Sequence, residues 1–260
     1  MTMKLTIVGC SGSYPGPESV ASCYLVQAEG NDAESGKRRT WNLVLDLGNG
    51  ALGQLQRYVD PLDVDAVLLS HLHADHCVDM TSYYVVRKYH PTGTQPKLPV
   101  WGPKGTRRRL AKAYDLPVKT GMSEEFTFHR LEGGFHVGPF AITPYEVDHP
   151  VPAFGFRITV GDAVLAYSGD TGPTDALLDL AADADLFLCE ASFRAGDDNP
   201  PSLHLTGAEA GEYASKADAK LLVVTHVPPW HEADVIMGEV VSAYSGPAEL
   251  AVAGATYDLG

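Results

Sequence analysis

The segment Ser70-His71-Leu72-His73-Ala74-Asp75-His76 carries the strongest signal in this 260-residue sequence, and it directly follows the apolar run 64–69 (VDAVLL). Such a run predicts a buried strand, so three imidazoles and a carboxylate crowd together where that strand ends. This crowding is unfavourable without a cation. Neutral imidazole nitrogen and carboxylate oxygen are donors that zinc and similar divalent metals accept, and their spacing can direct two ligands to each of two ions.

Four further side chains with suitable chemistry stand near the ends of other predicted elements. They are His149, Asp170 and His226, each after an apolar run, and His204, before a predicted helix. The carboxyl ends of neighbouring strands in an open sheet converge on one edge, where such proteins usually place their sites. Any one of these residues alone could have a purely structural role. Together with the histidine-rich segment, they predict one site built from several strand ends.

Apolar periodicity predicts two sheets covered by helices, and the chain length fits one large domain or two small ones. A single domain spanning residues 1–260 is expected. The predicted strands are 4–9, 22–27, 41–46, 64–70, 140–147, 154–160, 163–168, 185–190, 220–225 and 249–253. The predicted helices are 49–58, 78–89, 104–114, 174–181, 206–218 and 232–244. The start of helix 206–218 is best placed because Thr206 and Glu209 form a capping-box pattern. The polar stretch 33–39 is expected at a hairpin tip.

Composition restricts the classes of partner. The chain has 19 Lys and Arg against 33 Asp and Glu, a net charge of −14, which disfavours long nucleic acids as ligands. No run reaches the ~18 apolar residues of a membrane span, and the N-terminus lacks a signal-peptide pattern, so a cytoplasmic protein is expected. The four scattered cysteines indicate reduced thiols rather than disulfides or a thiolate zinc site. A homodimer is expected from general frequencies of oligomers.

The succession of motifs resembles the metallo-β-lactamase-fold hydrolases over residues 4 to about 252. Its elements are the HxHxDH pattern of 71–76, a later histidine, an aspartate in a GDT turn and a histidine after a late strand. The resemblance implies an α/β (α+β) fold, a four-layer αββα sandwich. It also implies that Asp46, in Leu45-Asp46-Leu47-Gly48, supports the histidine-rich segment 70–76 without binding metal. This segment is hereafter called the metal loop.

The same resemblance implies two divalent ions per chain, with zinc expected and manganese or iron as the alternatives. One ion would take His71, His73 and His149, the other Asp75, His76 and His226, with Asp170 bridging them. An aspartate at position 170, rather than a cysteine, is unlike the true β-lactamases. It is similar to hydrolases of esters and phosphodiesters.

A narrower resemblance, to the tRNase Z branch and related cyclic nucleotide phosphodiesterases, covers Tyr167 to Thr171, Leu188 to Ser192 and His204 to Thr206. It implies that His204 protonates the leaving oxygen and that Glu190 is its partner. The chain departs from the tRNase Z motif at Leu205, where a serine would stand, and residues 150–169 leave no room for the tRNA-gripping arm. The succession is most similar to bacterial phosphodiesterases that open 3′,5′-cyclic AMP.

The expected reaction is therefore hydrolysis of a small phosphodiester, 3′,5′-cyclic AMP to 5′-AMP, by a metal-bound hydroxide. Two ions would lower the pKa of the bridging water and neutralise charge on the phosphate oxygens. His204 would act as general acid, Glu190 would fix its tautomer, and Asp75 could orient the hydroxide while binding metal.

Three alternatives remain open from the sequence. An RNA 3′-processing nuclease of the tRNase Z type is the nearest, followed by a thioester or lactone hydrolase of the same fold. A metal-binding scaffold without turnover would not need a spare proton donor such as His204. Two weaker signals have structural interpretations: the basic face of helix 104–114 is expected to be solvated, and Trp230 is expected to pack rather than to stack on a substrate base.

Overall fold

Two seven-stranded mixed sheets pack face to face in the computed structural model, which describes residues 2–32 and 35–260. The strands are β1 Met3–Gly9, β2 Cys23–Asn31, β3 Arg38–Leu45, β4 Ala66–Leu68, β5 Leu98–Gly102, β6 Phe126–Arg130, β7 Phe135–Val137, β8 Phe140–Val147, β9 Ala153–Val160, β10 Ala163–Tyr167, β11 Leu186–Glu190, β12 Leu222–Thr225, β13 Ala248–Leu250 and β14 Thr256–Leu259. Their order is β14-β1-β2-β3-β4-β5-β6 in the first sheet and β13-β12-β11-β10-β9-β8-β7 in the second.

Helices cover the outer face of each sheet. They are α1 Ala51–Leu55, α2 Ala74–Cys77, α3 Met80–Tyr89, α4 Thr106–Ala113, α5 Ala176–Ala181, α6 Gly207–Lys216 and α7 Ala233–Ala243. One apolar core lies between the sheets, a second packs the first sheet against α1, α3 and α4, and a third packs the second sheet against α5, α6 and α7. The four layers are therefore helix, sheet, sheet, helix, as the sequence predicts. No helix in the described chain combines the length and apolarity needed to cross a bilayer.

The central strands are apolar on both faces because both faces are buried. In β11, Leu186 and Leu188 point into the core between the sheets, whereas Phe187 and Cys189 pack against the helices outside. This double burial explains why the strand reads as a continuous apolar run instead of alternating with polar residues. None of the four cysteines is in a disulfide, in agreement with the expectation of scattered free thiols.

All ten predicted strands and all six predicted helices are present, with shifted ends. The capping box of α6 is confirmed: Glu209 N donates to Thr206 Oγ1 at 3.2 Å, and Thr206 N donates to Glu209 Oε2 at 2.8 Å. Five elements are not predicted from the sequence because they are short: β5, β6, β7, β14 and α2. Strand β5 also contains Pro99, which weakens a strand pattern. The predicted hairpin tip joins β2 to β3, but its residues Ala33 and Glu34 lie outside the described residues.

Parallel pairing brings the site segments to one edge. Strands β3 and β4 pair in parallel with Leu45 opposite Leu68, so Asp46 and the histidine-rich segment emerge side by side. In the second sheet, parallel pairing sets Tyr167 opposite Leu188 in β10 and β11, and it also pairs β11 with β12. The segments that follow β10, β11 and β12 therefore leave the second sheet at the same edge and face those from the first.

Candidate metal centre

Three histidines form the first cluster of potential ligands. His71 Nε2 lies 3.0 Å from His73 Nδ1, which in turn lies 3.3 Å from His149 Nε2. His149 Nδ1 lies 2.9 Å from the carbonyl oxygen of Leu203 and donates to it, which leaves Nε2 as the nitrogen with a free lone pair. Three imidazole nitrogens converging in this way can hold one ion.

Two carboxylates and two histidines form the second cluster, in which all four residues are buried. His76 Nε2 lies 3.1 Å from His226 Nε2, and His226 Nε2 lies 3.2 Å from Asp75 Oδ2. The opposite nitrogen of each ring is already engaged: His76 Nδ1 is 2.8 Å from Asp46 Oδ2, and His226 Nδ1 is 2.8 Å from Ser192 Oγ. Each ring therefore turns its other nitrogen toward its neighbours in the cluster.

Asp170 connects the two clusters. Its Oδ2 lies 3.6 Å from His71 Nε2, and its Oδ1 lies 3.2 Å from His76 Nε2. The carboxylate is 2% exposed, and Oδ1 has no hydrogen-bond partner among the described residues. A buried anionic oxygen without such a partner is costly, and a cation at this point would remove the cost. The donor set and this orphaned oxygen therefore fit a metal site.

The electrostatics of the clusters favour positive charge. Burial would lower the pKa of His76, but the carboxylates of Asp170 and Asp46 outweigh it and raise that pKa well above its usual value. Burial lowers the pKa of His71, with a further contribution from His76, so His71 is neutral and able to bind metal. Burial would raise the pKa of Asp170, yet the imidazoles around it hold that pKa well below its usual range. Protons and metal ions would therefore compete for the same imidazole nitrogens and carboxylate oxygens.

Asp46 supports the metal loop by hydrogen bonds to its first and last residues, Ser70 and His76. It is completely buried and accepts four hydrogen bonds, from Ser70 N, Ser70 Oγ and Tyr167 OH at 2.7 Å each and from His76 Nδ1 at 2.8 Å. This placement agrees with the supporting role that the resemblance implies. Two residues on, Gly48 lies so close to the loop that a Cβ would stand 1.9 Å from Asp75 O, so only glycine fits there.

Glu190 and His204 form a pair beside the clusters. His204 Nδ1 lies 2.8 Å from Glu190 Oε1, and the His204 ring centroid is 5.6 Å from that of His149 and 5.5 Å from that of His226. Burial would lower the pKa of His204, but the Glu190 carboxylate outweighs it and raises the pKa to about 9. Glu190 also accepts from Thr171 N at 2.9 Å. The imidazole is thus protonated near neutral pH.

The structure places every predicted site residue at this edge of the two sheets. The residues brought together are His71, His73, His149, Asp75, His76, Asp170 and His226 in the two clusters, with Glu190 and His204 beside them. Sequence reasoning missed Ser70, Tyr167 and Ser192, which hold Asp46 or His226 by hydrogen bonds, because hydroxyl residues in strand ends have no distinctive pattern.

The basic face of α4 is exposed to solvent, as the sequence predicts, and one of its residues also contacts the metal loop. Arg109 Nε lies 3.3 Å from Leu72 O, within the metal loop. A cavity of about 350 Å³, hereafter the side pocket, is bounded by residues 72–73, Pro103, Lys104, Arg109 and residues 151–152. Helical periodicity can show that a face is basic, but it cannot show what the face lies beside.

The family follows from comparison with known proteins. The sequence pattern that defines the family described as Beta-lactamase superfamily domain matches residues 41–227, so the chain belongs to this family. It is 43% identical to an uncharacterized protein of Mycobacterium leprae over 100% of this chain and 89% of that protein. It is therefore a metallo-hydrolase of the metallo-β-lactamase fold.

Further relatives indicate the branch. The probable metallo-hydrolase YhfI of Bacillus subtilis is 29% identical over 98% of this chain and all of its own, and its crystal structure superposes with a TM-score of 0.86 at 27% identity, covering 99% and 100% of the two chains. A ribonuclease Z of Myxococcus xanthus is 27% identical over 315 aligned positions, covering 99% of this chain and 98% of that protein. The chain is thus in the tRNase Z-like branch of the fold.

Proposed function

We propose that this protein is a phosphodiesterase that hydrolyses a small phosphodiester, with 3′,5′-cyclic AMP as substrate and 5′-AMP as product. The observation that carries the proposal is the position of His204, which lies beside both clusters and contacts neither Asp75 nor Asp170 through a hydrogen bond. A proton donor next to a complete set of metal ligands is the arrangement that cleavage of an alkyl phosphodiester needs.

Two divalent ions would be held by the clusters: one by His71, His73 and His149, the other by Asp75, His76 and His226, with Asp170 between them. When bound, such ions supply a water of lowered pKa and positive charge against the phosphate oxygens. Zinc is proposed because imidazole-rich sites suit it, and manganese or iron are the alternatives with the same donors.

His204 would protonate the departing 3′ oxygen. Glu190 accepts from Nδ1 of His204, so Nε2 carries the other proton and is free to reach a substrate. The raised pKa, about 9, keeps that proton in place at neutral pH. General acid catalysis of this kind contributes about 10²–10⁴-fold to a rate.

Asp75 would orient the attacking water. Its Oδ2 lies 3.2 Å from His226 Nε2 and 3.6 Å from His76 Nε2, at the centre of the second cluster. Burial would raise the pKa of Asp75, but hydrogen bonding by His226 and the positive field of His76 outweigh it and hold that pKa below its usual value, so the carboxylate is an acceptor near neutral pH.

Three observations support a small substrate. Residues 150–169, between His149 and Asp170, contain only the antiparallel pair β9 and β10 and the connections to it. The alignment with ribonuclease Z spans 315 positions whereas this chain has 260 residues, so at least 315 − 260 = 55 positions are opposite gaps in this chain. The net charge of −14 also opposes binding of a long polyanion.

The test is a side-by-side assay of metal-loaded protein with 3′,5′-cyclic AMP and with a precursor tRNA, at two salt concentrations. We expect cyclic AMP to be opened to 5′-AMP with a weak dependence on salt, because a single phosphate is bound. Cleavage of the tRNA 3′ end without opening of cyclic AMP would overturn the proposal and favour the nuclease alternative.

A further inference from the structure

The side pocket adjoins the candidate metal centre through His73. The ring of His73 faces His71 and His149 through Nδ1 and also lines the cavity. Leu72 comes from the same loop, and Val151 and Pro152 follow His149 by two and three residues. A molecule with a phosphate at the clusters could therefore extend directly into this cavity.

The walls of the pocket are mostly apolar, and its polar side chains are His73, on the side of the metal centre, and two cations. Leu72, Pro103, Val151 and Pro152 supply the apolar surface, while Lys104 and Arg109 supply the charge. Neither cation has an ion-pair partner among the described residues, although the chain has 33 acidic residues against 19 basic ones. Both side chains are exposed at its edge. Two unpaired cations at an apolar cavity in an acidic protein point to a ligand with acceptor groups.

We propose that the side pocket holds the nucleobase of the substrate, with Lys104 and Arg109 donating hydrogen bonds to acceptor atoms on the edge of the base. This inference rests on the proposed phosphodiesterase function and adds the residues that would set base preference. A planar base suits the apolar walls, whereas a second phosphate placed there would lose hydration against four apolar side chains. The cavity of about 350 Å³ is in the size range of small-ligand pockets.

The two cations predict which base they would bind most tightly. Lysine and arginine only donate, so they recognise edges that present acceptors. Guanine presents O6 and N7 side by side, whereas adenine presents N7 next to a donor amino group. We therefore expect Arg109 to contribute more to binding of a guanine nucleotide than of an adenine nucleotide.

Arg108 provides a matched control. It lies on the same exposed turn of α4 and carries the same charge, but it does not line the pocket. Comparing Arg109→Ala with Arg108→Ala therefore separates local contact with the base from the general field of the basic helix. Arg109 also contacts Leu72 O, whereas Lys104 makes no hydrogen bond to the metal loop, so Lys104→Ala serves as a second variant.

The experiment measures binding of 5′-GMP and 5′-AMP to metal-loaded protein by calorimetry, with metal content determined for each variant. We expect Arg109→Ala to weaken 5′-GMP binding by about ten- to a hundredfold, as for loss of a bidentate base contact. The loss for 5′-AMP should be smaller, Lys104→Ala should act in the same direction, and Arg108→Ala should change neither affinity.

Equal losses in Arg108→Ala and Arg109→Ala would overturn the base pocket and leave only a field effect. So would unchanged 5′-GMP binding in both Arg109→Ala and Lys104→Ala at full metal content. The binding readout does not depend on turnover. If cyclic nucleotides are not hydrolysed but the Arg109-specific loss is observed, the proposed reaction fails while the base pocket stands.

Discussion

The ligand clusters and the rim around them are built on different principles. In the clusters, Asp46 accepts four hydrogen bonds and the second nitrogens of His76, His149 and His226 are each engaged. At the rim, Trp230 is 59% exposed and contacts Tyr14 with ring centroids 5.3 Å apart, and Lys104 is exposed without an ion pair in the described chain. The clusters are fixed by buried groups, so a change there should affect metal and chemistry together, whereas a change at the rim should affect only substrate affinity.

The largest effect is expected for Asp170→Ala, a change within the ligand clusters. Removing the carboxylate that connects the clusters should lower metal content and abolish turnover together, because Oδ1 and Oδ2 face histidines of different clusters. Metal analysis of purified protein beside a turnover assay checks this. One metal per chain in the unmodified protein, with full activity and no gain from added metal, would rule out two ions.

His204→Ala separates chemistry from metal binding within the buried region. Metal content should be unchanged, while hydrolysis of alkyl phosphodiesters falls by about 10²–10⁴-fold, the usual contribution of a general acid. Hydrolysis of bis(p-nitrophenyl) phosphate should fall far less, since its leaving group needs little protonation. Equal losses on the two substrates would count against proton donation by His204.

Glu190→Gln tests how the buried pair sets the pH range. Glu190 raises the pKa of His204 to about 9, and the acid form of His204 is the active one, so turnover should fall as pH rises through that pKa. Without the carboxylate charge, the fall should begin at lower pH, toward the usual value of about 6.5 for histidine. The measurement is kcat against pH for both proteins. An unchanged alkaline limb would show that the limb belongs to another group.

Trp230→Ala should have the smallest effect. The indole packs on Tyr14 outside the side pocket, so its removal should change KM for cyclic nucleotides by less than about twofold, as is usual for an exposed position. Steady-state kinetics with cyclic AMP and cyclic GMP provide the check. A tenfold rise in KM with unchanged kcat would instead place the base on the Tyr14 and Trp230 rings.

Local sequence was sufficient to place candidate residues at strand ends, and the family resemblance implied how they divide into a ligand set. His71 to His76, Asp170 and His226 follow apolar runs, and parallel pairing of those runs brings their ends together. The four-layer order was predictable because apolar runs mark the buried strands and helical periodicity marks the helices that cover them. What the sequence could not show depends on contacts between distant segments: the bond from Tyr167 OH to Asp46 spans 121 positions, and Arg109 meets Leu72 across 37.

One oxygen atom of Glu190 has a consequence for how this site tolerates variation. Oε1 accepts both from Thr171 N, next to Asp170, and from His204 Nδ1. The distance between the Asp170 carboxylate and the His204 imidazole is therefore set by this one buried oxygen. Within the connection between β11 and α6, residues 194–201 make no hydrogen bond to Glu190 or His204, whereas Leu203 O accepts from His149 Nδ1. Changes in length or composition confined to 194–201 should therefore leave the donor in place.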